Sequence, residues 1–360
     1  MSSQVPSAAP LTIPIRAGEK HYDAIVGRGL IEKIGEHASR LFRGRTCALV
    51  ADANTAKLFA TKIVDQLRAA KFEPTLITIP PGENSKSLEQ AGNICEQMSV
   101  AGLDRGSFVI ALGGGVVGDL AGFAAAIYHR GISYIQVPTT LLAQVDSSIG
   151  GKTGVNTASG KNLLGAVHQP ALVLVDVDTL QTLPPREFNQ GFAEIIKHAI
   201  IADPALFDML DRRDMIELVA HNIRIKAGIV GRDENDSLGH RAVLNFGHTV
   251  GHAIERAIGY GALLHGEAIS LGIVAACEIS VRRAGFKEAE CEKVVEALRA
   301  FDLPTKLPPN FPREKILSAL KADKKFERGE VRFVVTPHLG SARLTSDVTM
   351  SDIEAAVEKL

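Results

Sequence analysis

Short runs of aliphatic and β-branched residues recur through the first half of the chain, at Ala48–Ala51, Thr75–Ile79, Phe108–Leu112, Tyr134–Val137 and Leu172–Val177. Between them, Thr55–Ala70, Leu88–Ser99 and Asp119–Tyr128 carry apolar residues at three-to-four spacing, the mark of a helix with one buried face. Strands alternating with such helices predict a parallel-type sheet with crossover helices, an α/β fold. Past Leu183-Pro184-Pro185 the strand signals fade. Helical periodicity then runs through Asp214–Gly231, Arg241–Ile258, Glu267–Ala284 and Glu288–Ala300, with one short strand at Val331–Val335. The pattern predicts an α/β N-terminal domain over residues 1–185, of which 1–9 form a loose tail, and a mainly α-helical C-terminal domain over residues 186–360.

At 360 residues the chain is long enough for two domains of about 150 residues each. Forty Lys and Arg against 41 Asp and Glu leave a net charge of -1, so no global field favours nucleic acid or an anionic membrane, and a basic site has to be local. Cys47, Cys95, Cys277 and Cys291 lie far apart without CxxC spacing, which argues against a disulfide framework and a thiolate zinc site and fits a reducing, cytoplasmic setting. The longest apolar stretch, around Phe108–Gly118, is broken by glycines and falls short of the roughly 20 residues a membrane helix requires.

Three strand ends carry ligand-type chemistry, and open α/β sheets bind ligands at such ends. Phe108–Leu112 empties into Gly113-Gly114-Gly115-Val116-Val117-Gly118-Asp119, where Gly113, Gly115 and Gly118 satisfy GxGxxG and let backbone N–H groups approach a diphosphate. The ordinary dinucleotide fingerprint also needs an acid about 20 positions later, and residues 130–145 contain none, so the turn points to a nucleotide site of another type. Asp52 and Asn54 follow the first predicted strand, and Pro80-Pro81-Gly82-Glu83-Asn84-Ser85-Lys86 follows the second; the plainer reading of each is a capped helix start. Farther on, Asp146-Ser-Ser-Ile-Gly-Gly-Lys152-Thr153 and Gly160-Lys161-Asn162 set lysines among glycines, as an oxyanion site or as a glycine hairpin with solvated lysines. The first is not a Walker A loop, whose leading glycine would fall on Asp146.

In the second half, Asn245-Phe-Gly-His248-Thr-Val-Gly-His252-Ala-Ile-Glu255 places two imidazoles four apart on one predicted helix face, with Asn245 and Glu255 nearly in line. Such a pair can share a divalent metal or divide between ligand and proton-transfer roles, and Gly247 and Gly251 leave room beside it for a ligand. His265-Gly266-Glu267 opens the next helix, and Glu194 stands one turn before Lys197. Three histidines and a glutamate suit a zinc-type site with an open position.

Taken together these segments resemble the 3-dehydroquinate synthases, over nearly the whole chain from Asp52 to Lys325. The pieces that carry the resemblance are Gly113–Asp119, Gln136–Lys152, Gly160–Asn162, Leu244–His252 and Leu264–Glu267. It implies an α/β NAD-binding domain followed by a helical one, usually in a homodimer. The implied reaction converts 3-deoxy-D-arabino-heptulosonate 7-phosphate to 3-dehydroquinate and phosphate with NAD and a divalent metal, zinc or cobalt. NAD contacts are implied from Asp52, Asn54, Glu83, Lys86, Gly115, Asp119, Thr139, Thr140 and Thr182, and the cofactor set also takes in Val116, Gly118, Lys152, Lys161 and Thr179. Glu194, His248 and His265 are the implied metal ligands, which moves His252 from metal to substrate. Asp146, Lys152, Asn162, Lys197, Asn245 and Lys324 join His252 around the substrate, with Asp146, Lys152, Lys197 and His252 in the catalytic roles. Arg130 is implied to reach the phosphate bound by the neighbouring subunit, and Lys226 and Arg241 to hold the carboxylate. The segment Asp233–Arg241 departs from the family pattern: Asp236 stands where a glutamate is usual, in a loop one residue longer. An NAD- and metal-dependent polyol dehydrogenase, or another sugar-phosphate cyclase, is the competing expectation; a dehydrogenase has no use for cations that hold both a phosphate and a carboxylate.

Overall fold

Residues 9–210, 214–233, 239–259, 261–321 and 332–360 are described by the computed structural model. Residues 1–8 of the expected loose tail, Asp236, Lys324 and the start of the late strand at Val331 lie outside them. The chain forms two compact units: Met1–Leu183 with Met215–Asn235, and Pro184–Asp214 with Asp236–Leu360. The helix Met215–Val230, expected in the helical domain, thus belongs to the first unit. It packs on the first two strands of the sheet and on the π-helical segment Ala143–Ser147.

Among the described residues the first unit holds nine strands: β1 Leu11–Ala17, β2 Lys20–Gly27, β3 Thr46–Asp52, β4 Glu73–Ile79, β5 Phe108–Gly113, β6 Ser133–Pro138, β7 Lys152–Thr157, β8 Gly160–Val167 and β9 Leu172–Asp176. Seven of them form one sheet in the order β1-β2-β9-β6-β5-β3-β4, antiparallel between β1 and β2 and parallel elsewhere. β5 and β9 are buried at every position because both faces of the sheet are covered, which is why they read as unbroken apolar runs. β1 alternates instead. Ile13, Ile15 and Ala17 point inward while Thr12, Pro14 and Arg16 are exposed, and Pro14 is tolerated because β1 is an edge strand. The pairs β1–β2 and β7–β8 are additions to the predicted elements.

The chain leaves β3 for β4 on one side and then returns to place β5 on the other side of β3. The strand order therefore reverses between β3 and β5, and the crevice beyond their carboxyl ends is the switch point where open sheets take ligands. Asp52 ends β3 there, and Gly113-Gly114 ends β5.

In the second unit the nineteen-residue helix His265–Arg283 is buried along most of its length. Gly191–Ile201, Glu288–Ala300 and Met350–Lys359 pack on it, as does the strand Phe333–His338. The helix expected over Arg241–Ile258 is broken. A 3-10 turn spans His240–Asn245, Gly247 reverses the chain at φ 79, and the α-helix begins at His248. Asn245 therefore does not share the helix face of His248 and His252.

Candidate active site

At the switch point the helix Gly115–Ile127 starts from Gly114 without a side-chain cap, so its first N–H groups sit at a positive helix end suited to an anion. A Cβ on Gly118 would stand 2.7 Å from Gln136 Oε1, and one on Gly115 would stand 3.0 Å from Ser147 Oγ. The glycines thus serve close packing of this helix on β6 and on the segment Ala143–Ser147. Thr139 N–H donates to Gly113 O (3.0 Å), which ties the end of β6 to that turn. Asp52 accepts from Asn54 N–H (2.9 Å), Thr55 N–H (3.1 Å) and Thr55 Oγ1 (2.7 Å), so its carboxylate caps the following turn, as the plainer reading has it. Asn54 is exposed beside it.

Lys86, 5% exposed, donates to Asp119 Oδ2 (2.5 Å) and to Asn162 Oδ1 (2.5 Å), bridging the glycine-turn helix and the β7–β8 hairpin. Burial raises the Asp119 carboxyl above its ordinary range, and the Lys86 ammonium opposes that rise. Lys226 Nζ lies 2.8 Å from Asp146 Oδ1 and 2.7 Å from Asp146 O, so the helix Met215–Val230 delivers a cation to the π-helical segment. Lys152 is exposed at the start of β7, Lys161 is half-buried in β8, and Val116 lies in the first turn of the glycine-turn helix. Lys152 and Lys161 therefore do sit in a glycine hairpin. Arg130 is exposed in the turn after Ile127, with φ 66.

In the second unit Glu194 is 0% exposed and Lys197 2%. The Lys197 ammonium donates to Glu194 Oε2. Glu194 Oε1 has no hydrogen-bond partner among the described residues, yet His248 Nε2 lies 3.5 Å and His265 Nε2 3.6 Å from it. One ligand atom from each of the three lies within 4.8 Å of the others, and His252, Glu255 and His265 form a second such group. Phe246 O lies 3.1 Å from His248 Nδ1, and donation to it leaves the Nε2 lone pair for a metal. Burial lowers His248 to about 3. Burial also disfavours the His265 cation, but Glu194 and Glu255 outweigh it and raise His265 to about 9. In the metal-free site a proton on His265 thus supplies positive charge that a bound cation would replace. A carboxylate oxygen without a partner beside two imidazole nitrogens fits a zinc-type ion, with room in its shell for substrate.

Glycine contacts bring these groups together. A Cβ on Gly272 would stand 2.0 Å from Gly247 O, and one on Gly251 would stand 2.8 Å from Ile269 Cδ1. The space expected for a ligand at Gly247 and Gly251 is filled by the helix His265–Arg283. His252, exposed, keeps its ring 5.2 Å from that of His248 and 6.0 Å from that of His265.

Family models for the 3-dehydroquinate synthase N-terminal and C-terminal parts match residues 76–190 and 191–326. A 3-dehydroquinate synthase of Thermodesulfovibrio yellowstonii is 41% identical over 96% of this chain and 99% of its own length. The chain belongs to the 3-dehydroquinate synthase family. Among solved structures it is similar to a 2-deoxy-scyllo-inosose synthase complexed with carbaglucose-6-phosphate, NAD+ and Co2+, with TM-score 0.88, 25% identity and coverage of 97% of this chain and 99% of that one. It is also similar to the 2-epi-5-epi-valiolone synthase of Streptomyces hygroscopicus with NAD+ and Zn2+, with TM-score 0.85, 29% identity and coverage of 95% and 97%.

A 3-dehydroquinate synthase is a lyase-type cyclase, and around its candidate sites the sequence reading missed Gln144 and the partners that Thr140, Thr179, Thr182 and Glu255 take in the fold. Gln144, fully buried, donates from Nε2 to Pro138 O (3.2 Å), Asp176 O (3.1 Å) and Thr179 Oγ1 (3.1 Å), stapling the ends of β6 and β9. Thr179 in turn donates to Asp176 O (2.8 Å), Thr182 Oγ1 donates to Thr179 O (2.8 Å), and Thr140 Oγ1 accepts from Ala143 N–H (3.2 Å). Glu255 Oε1 stands 3.7 Å from His265 Nδ1, behind the nitrogen that faces Glu194. A buried polar side chain within an apolar stretch was the available signal for Gln144 and Glu255. Arg241 is buried in the 3-10 turn, and Asn245 is exposed at its end.

Proposed function

We propose that this chain converts 3-deoxy-D-arabino-heptulosonate 7-phosphate to 3-dehydroquinate and phosphate, a step of the shikimate pathway. The reading is carried by identity of 41% with a 3-dehydroquinate synthase across 96% of the chain. When bound, NAD accepts and then returns one hydride at C5, and zinc or cobalt at Glu194, His248 and His265 supplies Lewis acidity toward the hydroxyl being oxidised.

The chain's own groups do the remaining work. Lys197 holds Glu194 ionised in a buried position, where an unpaired carboxylate would take up a proton. The glycine-turn helix receives the cofactor diphosphate, with Val116 and Gly118 in its first turns, while Asp52, Asn54, Glu83, Lys86, Asp119, Thr139, Thr140, Thr179, Thr182 and Lys161 fix the rest of NAD. Lys152, Asn162 and Lys324 bind the substrate's phosphate end, with Arg130 of a second copy completing the pocket in a homodimer. These cations would stabilise the phosphate as its bond to C7 breaks, with the C6 proton passing to a phosphate oxygen. Lys226 and Arg241 hold the carboxylate, Lys226 arriving already paired with Asp146. His252, Asn245, Asp236 and Asp146 orient the ring hydroxyls, and His252 moves a proton at its imidazole. After re-reduction, ring opening and intramolecular aldol closure need orientation more than further chemistry from the protein. We place the enzyme in the cytoplasm; among the described residues no helix is long and apolar enough to cross a membrane.

Similarity to the inosose and valiolone synthases favours a second reading, cyclisation of another sugar phosphate. Incubation of the metal- and NAD-loaded protein with the heptulosonate phosphate separates the two. Stoichiometric phosphate release with no net NADH supports the proposal. NADH accumulation indicates a dehydrogenase, and release only from a substrate without a carboxylate indicates the other cyclases.

A further inference from the structure

The hairpin that carries Lys161 and Asn162 is irregular. Val155 pairs with Leu164 and Thr157 with Gly160, so Asn156 alone stands opposite Lys161, Asn162 and Leu163. A bulge of this kind re-aims side chains, and such bulges concentrate beside active sites. Asn156 spans the gap. Its Oδ1 accepts from Asn162 N–H (3.0 Å), its Nδ2 donates to Glu83 Oε1 (2.7 Å), and its backbone N–H donates to Lys86 O (2.8 Å). Asn162 sits at φ 55, a left-handed conformation that an asparagine adopts more readily than most residues but that still costs energy. The circuit closes through Lys86, whose ammonium donates to Asn162 Oδ1 (2.5 Å) and Asp119 Oδ2 (2.5 Å).

We propose that Asn156 is a positioning residue that couples the cofactor-binding segment Glu83–Lys86 to the substrate-binding residue Asn162 in the bulge Lys161–Leu163. The inference rests on the assignment of Glu83 and Lys86 to NAD and Asn162 to substrate in the proposed function. The proposed function assigns Asn156 to neither ligand. A ligand that orders Glu83 or Lys86 also orders the Asn162 backbone through the Asn156 amide, so the second ligand to bind finds the bulge already set. Coupling of this kind is reciprocal: NAD tightens substrate by the same factor as substrate tightens NAD.

The test measures NAD affinity of the zinc-loaded full chain with and without a phosphonate analogue of the substrate, whose carbon–phosphorus bond prevents elimination. In the unaltered protein each ligand should tighten the other. Asn156→Ala should reduce that mutual factor about tenfold, a coupling loss of about 1.4 kcal/mol, with zinc stoichiometry unchanged. Asn156→Asp retains the acceptor for Asn162 N–H and nearly the same volume, but sets a second carboxylate against Glu83. It should weaken coupling in the parent protein and do so much less in a Glu83→Gln background, where the new amide can donate to it. Full coupling in folded Asn156→Ala or Asn156→Asp, or equal effects of Asn156→Asp in both backgrounds, overturns the inference while leaving the proposed function intact. Failure of the unaltered protein to bind NAD or the analogue removes both together.

Discussion

The pair Glu194–Lys197 lies one helical turn apart on Gly191–Ile201 with side chains 0% and 2% exposed, so neither charge has recourse to solvent. Lys197→Met keeps an apolar stem of similar length and deletes the ammonium. Removing one partner of a buried ion pair costs about 3–5 kcal/mol, an upper figure here because the His265 cation also faces Glu194 at 3.6 Å. That is a large share of a stability of about 5–15 kcal/mol. At roughly 2–4 °C per kcal/mol for a domain of 150–250 residues, the metal-free variant should melt roughly 6–20 °C below its parent. A cation bound at Glu194 Oε1 supplies replacement charge, so the zinc-loaded variant should lose much less. Glu194→Gln with Lys197→Met removes both charges and should recover part of the loss. Scanning calorimetry of chelated and zinc-loaded samples at fixed protein and metal concentrations reads all of these. Equal melting of variant and parent in chelator, or the same decrement with and without zinc, would refute the argument that Lys197 compensates a buried carboxylate in a metal site.

His248→Ala should lose bound metal, measured by elemental analysis after dialysis, whereas His252→Ala should retain it and lose turnover; normal metal in both would dissolve the ligand assignment. Gly272→Ala sets a Cβ 2.0 Å from Gly247 O and should lower both melting temperature and zinc affinity by spreading the two histidine-bearing helices. By contrast, Gly92→Ala in the helix Leu88–Val100 meets no atom within 4 Å and should stabilise by about 0.5–1 kcal/mol in denaturant titration. Asp352 completes the capping box of the helix Met350–Lys359 by accepting from the N-cap residue Thr349, and it accepts from Arg283 Nε (2.9 Å); although its burial opposes ionisation, these bonds hold its carboxyl below the usual range. A depressed folded-state pKa contributes stability above the unfolded value of about 3.9 and loses it as pH falls through the folded value. The advantage of the parent over Asp352→Asn should therefore be full at pH 6 and shrink below about pH 4; an advantage independent of pH would count against an ionised cap.

The parallel strands, the glycine turn after Phe108–Leu112 and the helices bearing Glu194 and His248 were legible in the chain itself. Each depends on neighbours a few residues away: an unbroken apolar run, a glycine where a strand meets a helix, or an apolar stripe at helical spacing. Lys152 and Lys161 were visible as lysines among glycines, but position along the chain could not choose between a hairpin and an oxyanion cradle. Pairings across long separations were not legible from pattern or spacing, and the grouping of Glu194 with His248 and His265 came only through the family resemblance. The Met215–Val230 helix follows the polypeptide into the second half yet buries its apolar face on β1 and β2 and brings Lys226 to Asp146, because an apolar face goes wherever a complementary one is open to it. Gly247 and Gly251 looked like space left for a ligand; tertiary packing fills that space with the helix His265–Arg283. The same contact sets His265 beside Glu194, 71 positions away in the chain. Periodicity is a property of one segment, whereas the charge environment of Glu194, the bulge spanned by Asn156 and the strand ends stapled by Gln144 belong to segments that meet only after burial selects their partners.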